Sequence, residues 1–543
     1  MFASALVKLG FTFGWTPAAP PCIAEYQKGD TSLSRSAFAT AELMPAGLPG
    51  EVIQYGSHPV AIFGVSACAT GATPRKPASM PMTAGSKTTR RKTRLHSSND
   101  SGETPLCVTS SADPDTGPVV GLSQDGPVKR PAALLALTVT LVSSTMALAP
   151  AAIAAPPAST EQAEARINAR ITARIDNPRF GSDVAVAVLD AASGRVIFSR
   201  KADRPMLPAS NMKIVTAVTT VAAVGPDRTF RTAVFAGPEA GEIVLQGGGD
   251  PLLTSSDLRS LASDVASSLD PASPVTVSTD LNLFAPPSRG PGWPRDYIPS
   301  VASAVTPLAR LGDYSRDPAA GALKVFRQRL ETLGFTVQQG SEVDVAADAT
   351  PLAAVSKHSA TDAVHLMLRE SENNVAEVLF RQVAIAKGQP ATWAGGQSAA
   401  TATLAELGID TAGLALMDGS GLSRKDRVTA LTMANVTRLS STGDPARFAV
   451  MYDASAMPIS GVSGTLDSKY GRFTTKQSRC ARGEVRAKTG TLFDTIGLSG
   501  VTTATDGQQK AFSILVNDRP QRFTALATRQ AADGLAATVN GCW

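Results

Sequence analysis

The stretch Leu207-Pro208-Ala209-Ser210-Asn211-Met212-Lys213-Ile214-Val215-Thr216-Ala217 decides how this chain is read. Pro208 stands near the first position of a helix, where its missing N–H and fixed φ are tolerated, so Ser210 falls in the first turn. Lys213 comes three residues later on the same helix face, within reach of the Ser210 hydroxyl, while Ile214, Val215, Val218 and Val221 form an inward face. Gly225-Pro226 should stop the helix. A lysine partly desolvated there, with a second cation nearby, can lose its proton near neutral pH and act as general base toward the serine. Alone the spacing carries little weight, because a surface lysine after a capping serine has the same pattern.

Two further clusters follow downstream. Ser371-Glu372-Asn373 interrupts two helical runs, Val364, Leu366, Met367 and Leu368 before it and Val375, Ala376, Val378 and Leu379 after it. At such a junction Ser371 can relay a proton to a leaving amine and Asn373 can donate to a substrate amide; a plain polar helix cap is the bland alternative. Lys488-Thr489-Gly490-Thr491 lies in an alternating run, Glu484 to Leu492, and the strands Ile496 to Thr503 and Lys510 to Asn517 complete an antiparallel meander turned at Asp506-Gly507. Gly490 leaves room for a substrate backbone, and the Thr491 N–H can pair with that of Ser210 as an oxyanion hole. Three such clusters in this order form the joint pattern S-x-x-K, S-x-N and K-T-G of serine acyl-enzymes.

Other chemistries find less support. Beyond residue 155 the histidines are His358 and His365, with no G-x-S-x-G elbow, so a Ser-His-Asp triad has little to stand on. No Cys or carboxylate spacing completes a zinc site around them, so no metal or other cofactor is expected. The 51 basic and 46 acidic residues leave a net charge of +5, too small a field to gather a polyanion, so nucleic acid is not an expected partner. With 43% hydrophobic and 18% charged residues, the balance is that of a globular protein able to bury a sizeable core.

The first part of the chain reads differently. Residues 1–127 mix Pro, Gly, Ser, Thr and Ala without sustained periodicity, so this extension is expected to be disordered or mis-annotated, and its run Lys87 to Arg94 reads as a solvated tail. Residues 128–154 then follow signal-peptide grammar: Lys129-Arg130, the apolar stretch Ala132 to Ala149, and Ala152-Ile153-Ala154. Cleavage after Ala149 would leave Pro150 first, so cleavage after Ala154 fits better, and translation starting at Val128 would put the signal at a true N-terminus. The rival reading, an uncleaved anchor, meets a segment made weakly apolar by Thr138, Thr140, Ser143, Ser144 and Thr145, so no lasting membrane span is expected. Secretion, or an extracytoplasmic place at the cell envelope, follows. Cys22, Cys68 and Cys107 precede the signal, leaving Cys480 and Cys542 as one pair that an oxidising compartment would bridge, two free thiols being the alternative.

The motifs together resemble class C low-molecular-mass penicillin-binding proteins, the D-alanyl-D-alanine carboxypeptidases and endopeptidases. The likeness rests on Pro208-Ala209-Ser210 with Lys213, Ser371 to Asn374 with Glu377, Asp418-Gly419-Ser420-Gly421-Leu422-Ser423, Gly461 to Leu466 and Ala487 to Leu492, joined by Gly247 to Pro251 and Gly292-Trp293. It runs from about Glu161 to the C-terminus. It implies an α/β fold, the penicillin-binding protein/β-lactamase-like (serine transpeptidase-like) sandwich. The catalytic domain would span residues 160–225 and 350–543, with a large inserted module, 226–349, between the first and second motifs. Glu372 departs from the commoner Asp without touching the roles of its neighbours.

By the resemblance, Ser210 attacks the penultimate carbonyl, Lys213 takes its proton, and Ser371 relays one to the departing D-alanine. Asn373 would bind substrate, and Lys488, Thr489, Gly490 and Thr491 would hold its carboxyl end. Expected partners are peptidoglycan peptides ending in D-alanyl-D-alanine, with β-lactam antibiotics as inhibitors. A β-lactamase or esterase of the same fold is the nearest alternative, opposed by the long insertion. A non-catalytic cell-wall-binding relative is the other, opposed by the presence of both Ser210 and Lys213. The mature protein is predicted to begin near Ala155; N-terminal sequencing of secreted protein checks this, and abundant peptides from residues 1–127 in cells would overturn a start at Val128.

Overall fold

The computed structural model describes residues 158–543, together with two short antiparallel strands, Ile53–Tyr55 and His58–Val60. The expected signal segment 128–154, the cleavage point before Ala155 and the rest of the 1–127 extension lie outside the described residues.

Helix α1 (Ala158–Ile175) repeats isoleucine at 167, 171 and 175, one side of a 3.6-residue period, and all three are buried. Strand β1 (Val184–Asp190) is buried at every position, so its sequence, VAVAVLD, lacks polar alternation. Its side chains still divide by the two-residue pleat: Ala185, Ala187 and Leu189 enter one core, Val184, Val186 and Val188 the other. Strand β2 (Val196–Arg200) pairs back on it, and one tight turn, Ala209–Asn211, leads into α2 (Met212–Thr219). A π-type turn, Thr220–Val224, and Gly225 at φ +91° end that helix.

Between the first and second motifs the chain builds a module, a second sheet with helices of its own. Strands β3 (Thr232–Ala236), β4 (Glu242–Gln246), β5 (Val275–Asp280), β6 (Val337–Glu342) and β7 (Ala353–Val355) form one sheet in the order β6-β5-β4-β3-β7. The two parallel pairs, β4 with β5 and β5 with β6, need crossovers, which α3 (Ser255–Ala266) and α4 (Pro318–Thr332) supply. Leu245, Leu258, Leu261, Val277, Phe326 and Leu330 give the module its own core, and its closing strand β7 lies wholly beyond residue 349.

The chain returns through α5 (Ala360–Glu370), α6 (Asn373–Ala386), α7 (Trp393–Glu406) and α8 (Ala430–Thr442) to the meander β8 (Val485–Leu492), β9 (Thr495–Thr503) and β10 (Gln509–Val516), and to α9 (Ala525–Asn540). The catalytic sheet is antiparallel throughout, in the order β8-β9-β10-β1-β2. Pairing of β10 with β1, Ser513 opposite Ala187, zips the two sequence halves together and lets the module hang between them. Helices cover both faces, α2, α5, α6 and α8 on one, α1 and α9 on the other. No helix among the described residues is long and apolar enough to cross a membrane.

Three ties fasten the back of the sheet. Lys510, without solvent exposure, meets Glu164 at 2.8 Å and Asp190 and Asp506 at 3.2 Å, joining α1 to two hairpins. Arg472 grips Asp533 of α9 through Nη2 at 2.6 Å and Nε at 3.0 Å, and the Phe473 N–H donates to the same carboxylate. Cys480 and Cys542 form a disulfide with Cα atoms 5.9 Å apart, tying the C-terminal tail to the segment ahead of β8. The cysteines are 62 positions apart, so the crosslink removes roughly 4 kcal/mol of denatured-chain freedom on the loop-entropy view. Replacing both with serine should lower unfolding stability by about 2–4 kcal/mol in a denaturant titration. A midpoint indifferent to both the substitution and a reductant would show that the bridge contributes nothing.

Candidate active site

Ser210 sits where a left-handed residue meets a helix. Ala209 has φ +48°, an unfavourable conformation for a residue with a Cβ, and its neighbours leave it no other. A Cβ on Gly421 would stand 1.9 Å from the Ala209 carbonyl oxygen, and one on Gly490 would stand 3.2 Å from the Ser210 nitrogen. Only glycine lets the Asp418–Ser423 loop and strand β8 close on the serine from two sides. Asn211 bolts the same turn to the sheet. With its amide oriented by the ladder, the nitrogen donates to the Lys488 carbonyl at 2.7 Å and the oxygen accepts from the Leu498 N–H at 3.1 Å.

Lys213 is fully buried, and its Nζ lies 3.0 Å from Ser210 Oγ, 2.8 Å from Asn373 Oδ1 and 2.8 Å from the Ser420 carbonyl oxygen. The orientation of Asn373 is fixed independently, because its Nδ2 donates to the Val301 carbonyl at 2.8 Å. Asn373 Oδ1 and the Ser420 carbonyl can only accept, so they take two N–H bonds of the amine. The third position faces Ser210. In the neutral amine that position is the lone pair, aimed at the hydroxyl proton.

Burial pulls the Lys213 amine down to about 8, against the opposing pull of Glu377, Asp418, Glu372 and Asp426. Desolvation, more than the second cation expected from the sequence, therefore lowers it. The surrounding carboxyls are displaced in the other direction. Glu377, which accepts from the Gly419 and Ser420 N–H groups at 3.0 and 2.9 Å, is pushed up to about 8 by burial and by Asp418. Burial raises Asp418 as well, and raises Asp426 well above the usual carboxylate range, with Asp418 adding to the shift. Asp418 shapes its loop by accepting from Gly421 N, Ser423 N and Trp293 Nε1 at 2.6–2.7 Å.

Ser371 caps α5 in the left-handed conformation, φ +63°, and its Oγ accepts from Lys488 Nζ at 2.8 Å. Its own hydrogen remains to be given elsewhere. Lys488 has no solvent exposure, and its amine is held well below the usual lysine range by burial first, then by Lys213 and Arg472. The same Nζ also donates to the Thr489 carbonyl at 3.0 Å. Strand β8 is an edge strand, and the Ala487 N–H donates outward to Pro458 at 3.0 Å. The two-residue alternation puts the peptide groups of Thr489 and Thr491 on that same outer edge.

The structure thus joins Ser210, Lys213, Ser371, Asn373 and Lys488 in one buried cluster, with Thr489, Gly490 and Thr491 along its rim. Cys480 and Cys542 belong to the tail crosslink. His358 binds Asp250 and His365 binds the Val450 carbonyl, so each has a structural partner. Two residues given no role from the sequence also take part. Thr465 bonds the Thr489 hydroxyl at 2.8 Å, and Arg529 of α9 donates to the Thr491 hydroxyl at 3.2 Å. Asn373 gains a duty that was not expected, as an acceptor for the lysine.

Residues 167–309 and 300–539 match the model of the D-Ala-D-Ala carboxypeptidase 3 (S13) family. Among similar proteins, a carboxypeptidase of Mycobacterium tuberculosis is 30% identical over 400 residues, covering 70% of this chain and 84% of that protein. The D-alanyl-D-alanine carboxypeptidase of Actinomadura sp. strain R39 is 27% identical over 493 residues, covering 72% and 87%. The crystal structure of penicillin binding protein 4 from Haemophilus influenzae superposes with a TM-score of 0.58 at 21% identity, covering 68% of this chain and 99% of that one, which shows the shared fold. By family match and by fold, this chain belongs to the D-Ala-D-Ala carboxypeptidase 3 (S13) family, the class C low-molecular-mass penicillin-binding proteins.

Proposed function

We propose that this D-alanyl-D-alanine carboxypeptidase trims peptidoglycan stem peptides outside the cytoplasm through an acyl-enzyme on Ser210, with Lys213 as general base. The observation that carries the reading is that Asn373 Oδ1 and the Ser420 carbonyl take the two N–H bonds of a neutral Lys213 amine, which leaves its lone pair for the proton of Ser210, whose Oγ lies 3.0 Å from Nζ. Ser210 Oγ attacks the penultimate carbonyl carbon as its proton passes to Lys213. The oxyanion lies toward the N–H groups of Ser210 and Thr491. As the C–N bond breaks, Ser371 gives its hydrogen to the departing amine of D-alanine and receives in turn the proton that Lys213 took, so that both side chains end as they began. Lys488, Thr489 and Thr491 hold that residue's carboxylate, and water then releases the acyl group.

Cleavage of a cross-bridge by the same steps would make the enzyme an endopeptidase as well. The signal grammar of residues 128–154 and the Cys480–Cys542 bridge support an extracytoplasmic place. β-Lactams, which present a strained amide to the same serine, should acylate Ser210. A β-lactamase reading would need rapid turnover of that adduct. Mass spectrometry of pentapeptide and cross-linked dimer after incubation with the mature protein, beside labelled penicillin, tests the whole reading: no D-alanine released would overturn it.

Ser210→Ala should abolish both hydrolysis and penicillin labelling, and Lys213→Ala should slow acylation by about 10²-fold or more. The second-order acylation rate should rise with pH to a midpoint near 8, because the neutral form of Lys213 is the active one. A rate level from pH 6 to 9 would exclude Lys213 as base. Lys488→Ala should slow a peptide ending in a free carboxylate more than an amide-capped thioester, since only the first needs the cation for recognition. Equal losses would make Lys488 structural.

A further inference from the structure

The inserted module reaches the second motif at every residue but Ser371. Its segment from Val301 to Tyr314 accepts from Asn373 Nδ2 through the Val301 carbonyl, at 2.8 Å. The amide of Asn374 is bracketed, its oxygen by the Ser303 N–H at 2.8 Å and its nitrogen by the Asp313 carbonyl at 3.4 Å. The hydroxyl of Tyr314 donates to the carboxylate of Glu372, which is 8% exposed. Burial and the Glu372 charge hold the tyrosine's pKa above its ordinary value, so it stays a donor.

Glu372 lies between Ser371, in its left-handed turn, and Asn373, the first residue of α6. A left-handed residue with a Cβ persists only where its surroundings over-determine it, and this hydrogen bond supplies one of the restraints. The commoner aspartate, one methylene shorter, would hold its carboxylate back from the tyrosine. Glutamate and Tyr314 form a matched pair.

We propose that Tyr314 is a positioning residue for amine departure: by holding Glu372 it locks the turn that aims Ser371 at the leaving group, making the inserted module part of the catalytic machinery. The proposal rests on the reading of Ser371 as proton relay. It distinguishes two substrates with the same acyl part, because a departing amine needs a proton and a departing thiolate does not.

The test measures kcat/KM on a D-alanyl-D-alanine peptide and its thioester counterpart, per site titrated with labelled penicillin, for Tyr314→Phe, Glu372→Asp and the double variant. Tyr314→Phe should lower the peptide value about tenfold, the scale of a lost hydrogen bond to a charged group, and the thioester value by less than about threefold. Glu372→Asp should shift the same ratio, and the double variant should be no worse than the poorer single one. Equal losses on both substrates, additive losses, or an unchanged ratio in both single variants would overturn the proposal. Wild-type protein that neither cleaves the peptide nor takes up penicillin would overturn the carboxypeptidase reading itself.

Discussion

A lysine amine without solvent exposure must find every partner inside the protein, and the Lys213 amine draws its three from segments far apart in sequence. Ser210 is one turn away, Asn373 lies across the inserted module, and Ser420 belongs to a loop between two later helices. Leaving such a group unpaired in a dry interior carries a heavy penalty, so the site can exist only when all three segments are in place. The backbone strain at Ala209 and Ser371 and the glycines at 421 and 490 follow from this constraint, since each permits an approach that a bulkier or relaxed residue would block.

The sheet converts that local requirement into a fold. Because β10 pairs with β1, the nucleophile's helix and the K-T-G strand sit on one rigid frame, whatever lies between their sequences. A long module can then enter between the first and second motifs without stretching the site. Its cross-links to residues 372–374 are the natural consequence of emerging beside the cleft.

Much of this was legible in the sequence, and the parts that were not have a common cause. Alternation and turn residues placed the strands β8, β9 and β10 within a residue or two, and Pro208 with Gly225 bounded the nucleophile's helical segment, because these signals are local. The pairing of Ser210 with Lys213 follows from helix spacing alone. The acceptor role of Asn373, the Thr465 contact to Thr489, the Asn211 bolt and the Tyr314–Glu372 pair depend on which side chains tertiary packing brings together, and no periodicity carries that information. Desolvation of Lys213 was expected beside a second cation, but its full extent was hidden for the same reason. A second cation is visible as a motif residue, whereas the depth of burial appears only once the helices are packed.

Two buried lysines beside one nucleophile raise a question of charge that the geometry resolves. Both amines are held down by burial, and Lys488 is depressed further by Lys213 and Arg472, whereas Lys213 is surrounded by four carboxyl groups that oppose its loss of a proton. The two sites are therefore unequal in their surroundings: four carboxyl groups pull the Lys213 amine upward, whereas at Lys488 Glu370 pulls upward against Lys213 and Arg472. On the proposed reading, a substrate ending in a carboxylate brings a further negative charge to Lys488 and stabilises its ammonium form, while the added positive charge there disfavours a proton on Lys213. An amide-capped end brings no such charge. On that reading, selectivity for a free carboxyl terminus and readiness of the general base arise from one electrostatic arrangement, with the substrate supplying the final ion.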